Sequence, residues 1–157
     1  MPHSILFVCL GNICRSPMAE GAMRHVSEQR GMDIVVDSAG TGSWHVGDAP
    51  DRRARAAALA SGVDISGQQA RLIAAQDFDR FDQVIAMDRS VFGDLASLRP
   101  GTATAALSLF FDHVAGREGQ DVADPYYGEE ADFAASWAEI MAGAVALLER
   151  LGRGSAL

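Results

Sequence analysis

An α/β sandwich built around a mostly parallel sheet is the architecture this sequence predicts, on three observations. Short apolar runs such as Ile5-Leu-Phe-Val8 and Val84-Ile85-Ala86 have the unbroken character of strands buried on both faces. Segments of helical periodicity alternate with them, the pattern of strand–helix–strand units. No internal repeat, low-complexity tract or linker interrupts the chain, so residues 1–157 read as a single domain.

The first strand is Ile5 to Val8. Ser16-Pro17 then has the form of an N-cap followed by proline at the first helical position, with Met18, Ala22 and Val26 along one helix face. Residues 33–37 form a second strand, ended by Ser38-Ala-Gly-Thr-Gly42. Residues 51–61 are alanine-rich and helical, closed by Gly62. A third strand lies within 82–87, a short helix runs from Ser90 towards Leu95, and a weaker fourth strand covers 105–110. A polar loop passes Gly116, Gly119 and Asp124-Pro125. Phe133, Trp137, Ile140, Met141, Ala144 and Leu148 then recur at helical spacing and predict a helix facing the core. Ligands of such sheets bind beyond the carboxyl ends of the strands. Those ends are Cys9, Ser38, Met87-Asp88 and the loop holding Asp124.

The formal net charge of -8 excludes a general nucleic-acid binder, which needs a basic face. It leaves room for an anionic small ligand, because a local nest of N–H groups outweighs distant surface charge. No segment approaches the roughly 20 apolar residues of a membrane span, so no membrane is expected. The start of the chain lacks the basic residues of a signal peptide. Two cysteines make no disulfide framework and point to a reducing compartment, the cytoplasm. No zinc site is expected, since His3, His25, His45 and His113 are scattered.

Chemistry concentrates in Cys9-Leu-Gly-Asn-Ile-Cys14-Arg15-Ser16, between the first strand and the first helix. A turn there aims successive backbone N–H groups inward, towards a helix N-terminus, and makes an anion cradle from Leu10, Gly11, Asn12, Ile13 and Cys14. Gly11 permits positive φ, and Asn12 tolerates it. Arg15 offers paired N–H groups to phosphate oxygens. Cys9, on the floor of this positive field, is expected to be a thiolate and a nucleophile. Displacing a poor leaving group from a bound phosphate needs an acid. On residue types alone Asp124, Asp121 and Asp112 all remain candidates, and Pro125 favours Asp124 by holding it extended. The stretch "GTGSWHVG" imitates a dinucleotide fingerprint, but its third glycine comes late and no helix begins there. His45 carries no role at this level.

Cys9 to Ser16 followed by Pro17-Met-Ala-Glu20 resembles the loop of low-molecular-weight protein tyrosine phosphatases. Ser38-Ala-Gly-Thr41, Trp44, Asp51-Arg52-Arg53 and Asp124-Pro-Tyr-Tyr127 follow in the family's order, so that the resemblance covers nearly the whole chain. It implies a four-stranded parallel sheet flanked by helices, and no metal or organic cofactor. It assigns Cys9 as nucleophile, Arg15 as phosphate clamp and Asp124 as general acid and base. Ser16 is implied to hydrogen-bond the Cys9 sulfur, Asn12 and Ser38 to support the loop, and Trp44 and Tyr126 to wall the cleft. The implied partner is a phosphotyrosine protein or peptide, met by a monomer. Gln68-Gln69 stands where a family histidine is expected before Ala70-Arg71, which leaves the bracing of the loop open.

Three rival readings share parts of this pattern. Thiol-dependent arsenate reductases need a downstream cysteine pair, and no cysteine follows Cys14. Protein arginine phosphatases carry threonine where this loop has Ile13, whose apolar side chain favours an aryl ester. A non-catalytic phosphate-binding module needs neither a thiolate nor an acid loop. Cys14 shares the tight turn with Cys9 and is expected to be a resolving thiol that forms a disulfide with oxidised Cys9, the alternative being a small buried filler.

Overall fold

The computed structural model describes residues 3–154, and the ends of the expected 1–157 domain lie outside the described residues. Its centre is β1 (His3–Cys9), parallel to β2 (Ile34–Gly40) on one side and to β3 (Gln83–Ala86) on the other. β4 (Ala106–Leu109) joins β3, giving a four-stranded parallel sheet of order β2-β1-β3-β4. The unbroken apolar run of β1 has a direct cause. Ile5, Phe7 and Cys9 face one core with Met18, Ala22, Phe110 and Phe133, while Leu6 and Val8 face a second core with Phe78, Val84, Val91 and Leu95. Burying a side chain such as Phe7 contributes about 1.5–3 kcal/mol each time.

The first core is covered by α1 (Arg15–Gln29) and α5 (Glu130–Gly154), with α2 (Arg52–Ala60) against both. The second is covered by α3 (Asp77–Arg80) and α4 (Arg89–Leu98). This is the expected sandwich with helices on both faces. Its parallel strands bring the loops after β1, β2 and β3 to one edge. There Met87 donates its N–H to the Val8 carbonyl (2.9 Å), and Val122 donates to the Met87 carbonyl (2.8 Å). The segment leading to Asp124 is thereby stitched to the end of the sheet.

Several local expectations are corrected. Ser16 is not the N-cap of α1. Cys14 occupies that position without a side-chain cap, Ser16 falls in the first turn, and its hydroxyl is engaged by Cys9 and Asn12. Pro17 is still tolerated, because first-turn N–H groups have no intrahelical acceptor. β2 runs through Ser38-Ala-Gly instead of ending before it, since these residues pair with Phe7, Val8 and Cys9. Gly40 is required there, because a Cβ would lie 2.8 Å from the Leu10 carbonyl oxygen. β4 stops at Leu109, where Asp112 accepts the Leu109 N–H (2.9 Å) and starts a 3₁₀ turn over Phe110–His113. The four-residue α3 was not foreseen, being too short to show a period. Helix α5 is long and apolar enough to pass for a membrane span, its most apolar 18-residue stretch reaching a mean hydropathy of 1.4, as the core helix of a globular domain also does. Phe133, Ile140, Ala144 and Leu148 within it are wholly buried in the first core.

Candidate active site

Cys9 closes β1 and is 3% exposed. Its sulfur lies 3.0 Å from Ser16 Oγ and accepts the Asn12 backbone N–H at 3.3 Å. Ser16 Oγ accepts from Asn12 Nδ2 at 2.8 Å, which leaves its own proton for the sulfur at 3.0 Å or the Ala39 carbonyl at 3.5 Å.

The turn that makes this geometry depends on Asn12 rather than Gly11. Asn12 has φ 57°, the only left-handed non-glycine backbone among the described residues. Its amide is fully used: Nδ2 donates to Ser16 and to Ser38 Oγ (3.0 Å), and Oδ1 accepts the Arg71 N–H (2.9 Å). Ser38 passes its own proton to Glu20 Oε1 at 2.7 Å. Burial raises the Glu20 pKa, against the lowering effect of the bonds from Ser38 and Arg24. Gly11 serves a different end. A Cβ there would sit 3.2 Å from His45 Cδ2, so its smallness admits the histidine ring.

The open question of the brace has an answer. Gln68 donates to the Pro17 carbonyl (3.0 Å) at the start of α1, and the Arg71 backbone reaches Asn12. The Arg71 side chain is anchored in turn between Asp37 and the buried Asp77. Neither Gln68 nor Arg71 was assigned this work from sequence.

Arg15 opens α1 and is 4% exposed. Nη1 donates to Asp88 Oδ2 (2.7 Å) and to the Val122 carbonyl (2.9 Å), which leaves Nε and Nη2 to serve an anion. Burial works against its charge, but the Cys9 sulfur, Asp88 and Asp124 together outweigh that and raise its pKa. Asp88 was singled out only as a strand end. Its second oxygen caps α4 through Val91 N–H (2.8 Å), so it is fixed from both sides.

A cleft of about 300 Å³ opens over the loop. Cys9, Leu10, Gly11, Ile13, Cys14 and Arg15 form its floor, and Trp44, His45, Asp124, Tyr126 and Tyr127 its walls. Asn12, expected in the cradle, and Ser16 do not line the cleft: their side chains lie behind the loop, as does that of Ser38. His45 and Tyr127 were missed as wall residues. Trp44 is 72% exposed yet seated: a Cβ on Gly42 would lie 1.8 Å from its Cζ3, so the indole rests on bare backbone.

Asp124 faces Arg15 Nη2 at 3.7 Å, and its Oδ1 accepts the Tyr126 N–H at 3.1 Å. The rival carboxylates are occupied elsewhere. Asp112 caps the 3₁₀ turn and accepts Gly119 N–H. Asp121 accepts the backbone and side-chain N–H groups of Arg89, which lower its pKa and suit it badly as a proton donor.

A cysteine sulfur, a buried cation and a carboxylate thus meet in one aromatic-walled cleft, an arrangement suited to phosphoryl transfer. The low molecular weight phosphotyrosine protein phosphatase family matches the chain over residues 4–156. The chain is 42% identical over 126 residues to the low molecular weight protein-tyrosine-phosphatase YfkJ of Bacillus subtilis, covering 79% of this chain and 81% of that one. The structure of a protein tyrosine phosphatase from Entamoeba histolytica superposes with a TM-score of 0.90 at 32% identity, over 98% of this chain and 99% of that one. A drosophila arginine phosphatase superposes with a TM-score of 0.86 at 35% identity, over 94% and 96%.

Proposed function

The chain belongs to the low molecular weight phosphotyrosine protein phosphatase family, and we propose that it hydrolyses phosphotyrosine in proteins or peptides through a cysteinyl phosphate. The observation that carries this reading is the cleft that holds Cys9, Arg15 and Asp124 together between Trp44 and Tyr126. The Cys9 thiolate attacks phosphorus as the phosphorus–phenol bond breaks, and Asp124 gives its proton to the departing oxygen. Water then attacks the cysteinyl phosphate, Asp124 takes a proton from it, and inorganic phosphate leaves with Cys9 restored. Arg15 and the loop N–H groups hold the equatorial oxygens throughout. Ser16 steadies the sulfur when it is the leaving group, and Asn12 and Ser38 hold the loop. Residues 1–157 act as one catalytic domain, and two unpaired thiols suit a reducing compartment such as the cytoplasm.

Ile13 decides between the two phosphoamino acids. It is 8% exposed and presents an apolar surface to the cleft, which suits an aryl ring better than a guanidino group. The test is the ratio of kcat/KM for a phosphotyrosine peptide to that for its phosphoarginine counterpart. Wild type is expected to prefer phosphotyrosine, and Ile13→Thr to move the ratio about tenfold towards phosphoarginine. A wild type that already prefers phosphoarginine overturns the substrate, and no turnover of either leaves only a phosphate-binding module.

The seat of Trp44 makes a second expectation. An added methyl in Gly42→Ala lifts the indole off the wall and loses an aromatic contact of ~0.5–1.5 kcal/mol, a rise of about two- to tenfold in KM for phosphotyrosine peptide. Inhibition by inorganic phosphate stays unchanged. Steady-state kinetics check it, and on a Trp44→Ala background the Gly42→Ala change has no further effect.

Cys14 is proposed as the resolving thiol. It is buried, and desolvation, then Asp51 and the Cys9 sulfur, raise its pKa far enough to keep it a thiol. Peroxide converts the Cys9 thiolate to a sulfenic acid, removing the charge that faces Cys14. The two then condense to a disulfide and water. Peroxide-treated wild type is expected to regain activity with dithiothreitol, while Cys14→Ser keeps its initial activity largely and recovers poorly. Equal recovery, or no Cys9–Cys14 crosslink by mass spectrometry, assigns Cys14 to packing.

A further inference from the structure

Asp124 sits on an exposed loop, its side chain 43% exposed, and within the loop it is held by one N–H, that of Tyr126. That N–H shares a peptide unit with the Pro125 carbonyl, which accepts the Gly128 N–H at 2.8 Å, so the aim of Asp124 depends on what holds the main chain at Tyr126 and Gly128. That group is Arg53, on the first turn of α2. Arg53 Nη2 donates to the Tyr126 carbonyl (2.9 Å) and Nη1 to the Gly128 carbonyl (2.8 Å), so one planar fork spans the acid loop. The guanidinium lies 4.3 Å from the Phe133 ring centroid and 5.7 Å from that of Tyr126, which fixes its plane and the cleft wall at once.

The other side of the fork is held as firmly. Asp51 Oδ1 accepts Arg53 Nε (3.0 Å) and the Arg53 backbone N–H (2.8 Å), and Oδ2 accepts Nη2 (3.0 Å). The Asp51 backbone N–H donates to the Ile13 carbonyl (2.8 Å), inside the loop that carries Cys9. A continuous path thus runs from the Cys9 loop through Asp51 and Arg53 to the main chain of Tyr126 and Gly128, beside the N–H that Asp124 accepts.

We propose that Arg53 is a positioning residue for proton transfer, one that sets the distance between the Asp124 carboxyl and the oxygen leaving Cys9-bound phosphorus. It is not among the residues that line the cleft, and it acts through the main chain of Tyr126 and Gly128. This proposal rests on the phosphatase reading above. Misplacing a reacting group by about 1 Å costs on the order of a hundredfold, within the range of ~10²–10⁴ that general acid catalysis supplies. Loss of the fork therefore shows where the acid matters and fades where it does not.

The experiment compares kcat/KM for phenyl phosphate, a poor leaving group, with that for p-nitrophenyl phosphate, a good one. Arg53→Ala is expected to lose about ten- to a hundredfold more on the phenyl ester, with inhibition by inorganic phosphate unchanged. Arg53→Lys keeps charge and fold but not the planar fork, and it is expected to show the same bias, which covers the case of an Arg53→Ala protein that does not fold. On an Asp124→Asn background the bias disappears, because no proton remains to aim. Equal losses on both esters, or a bias that persists without Asp124, overturns the proposal and makes Arg53 a structural brace. A wild type that hydrolyses neither ester fails the phosphatase reading instead.

Discussion

Cys9→Ser loses turnover by at least about a thousandfold while still binding phosphate. The substitution removes one kind of atom and leaves the cradle standing. Ser16, Asn12 and Arg15 keep their places, because Asn12 is held by Ser38 and Arg71, and Arg15 by Asp88 and Val122. What disappears is the polarisable sulfur, and the oxygen in its place offers no comparable nucleophile, because a serine alkoxide is out of reach at neutral pH. Hydrolysis of p-nitrophenyl phosphate measures the loss, and calorimetry with inorganic phosphate measures the binding. Activity above a few per cent of wild type would sink the assignment of Cys9. Arg15→Ala is expected to be nearly as inactive and to lose phosphate binding as well, because it leaves Asp88 and Asp124 facing the anion site with no buried cation between them.

Asp124→Asn falls by about 10²–10⁴-fold in kcat/KM on phenyl phosphate and far less on p-nitrophenyl phosphate. The side chain keeps its size and its acceptor for the Tyr126 N–H, so the loop holds while the proton is gone. Nitrophenolate departs without protonation, and phenolate does not. Equal losses on the two esters would show that Asp124 is not the acid. Asp112 and Asp121 are poor substitutes, each already fixed by the hydrogen bonds of a structural turn.

Features carried by near neighbours in the chain were legible before any coordinates. Strand and helix types followed from periodicity, and the anion loop from Cys9, Arg15 and the strand and helix on either side. Helix starts were less legible. Ser16 has the chemistry of an N-cap, but tertiary partners for its hydroxyl, Cys9 and Asn12, outcompeted the local role. The positive φ went to Asn12 because its amide finds partners from three segments, whereas Gly11 was needed small beside His45.

By itself, then, the sequence determined the alternation of elements, the two faces of β1 and the short loop in which Cys9 and Arg15 lie six residues apart. These are local matters, set by side-chain period and by turn chemistry. Only the tertiary structure decided that Asp88 grips Arg15, that the backbone of Arg71 braces Asn12, that Gly42 seats Trp44 and that Arg53 spans the acid loop. Most of these partners are far apart in sequence. They meet because a parallel sheet delivers the carboxyl ends of its strands to one edge, where loops from different crossovers share the same few ångströms. No period in the chain encodes that encounter, and the register of the strands does.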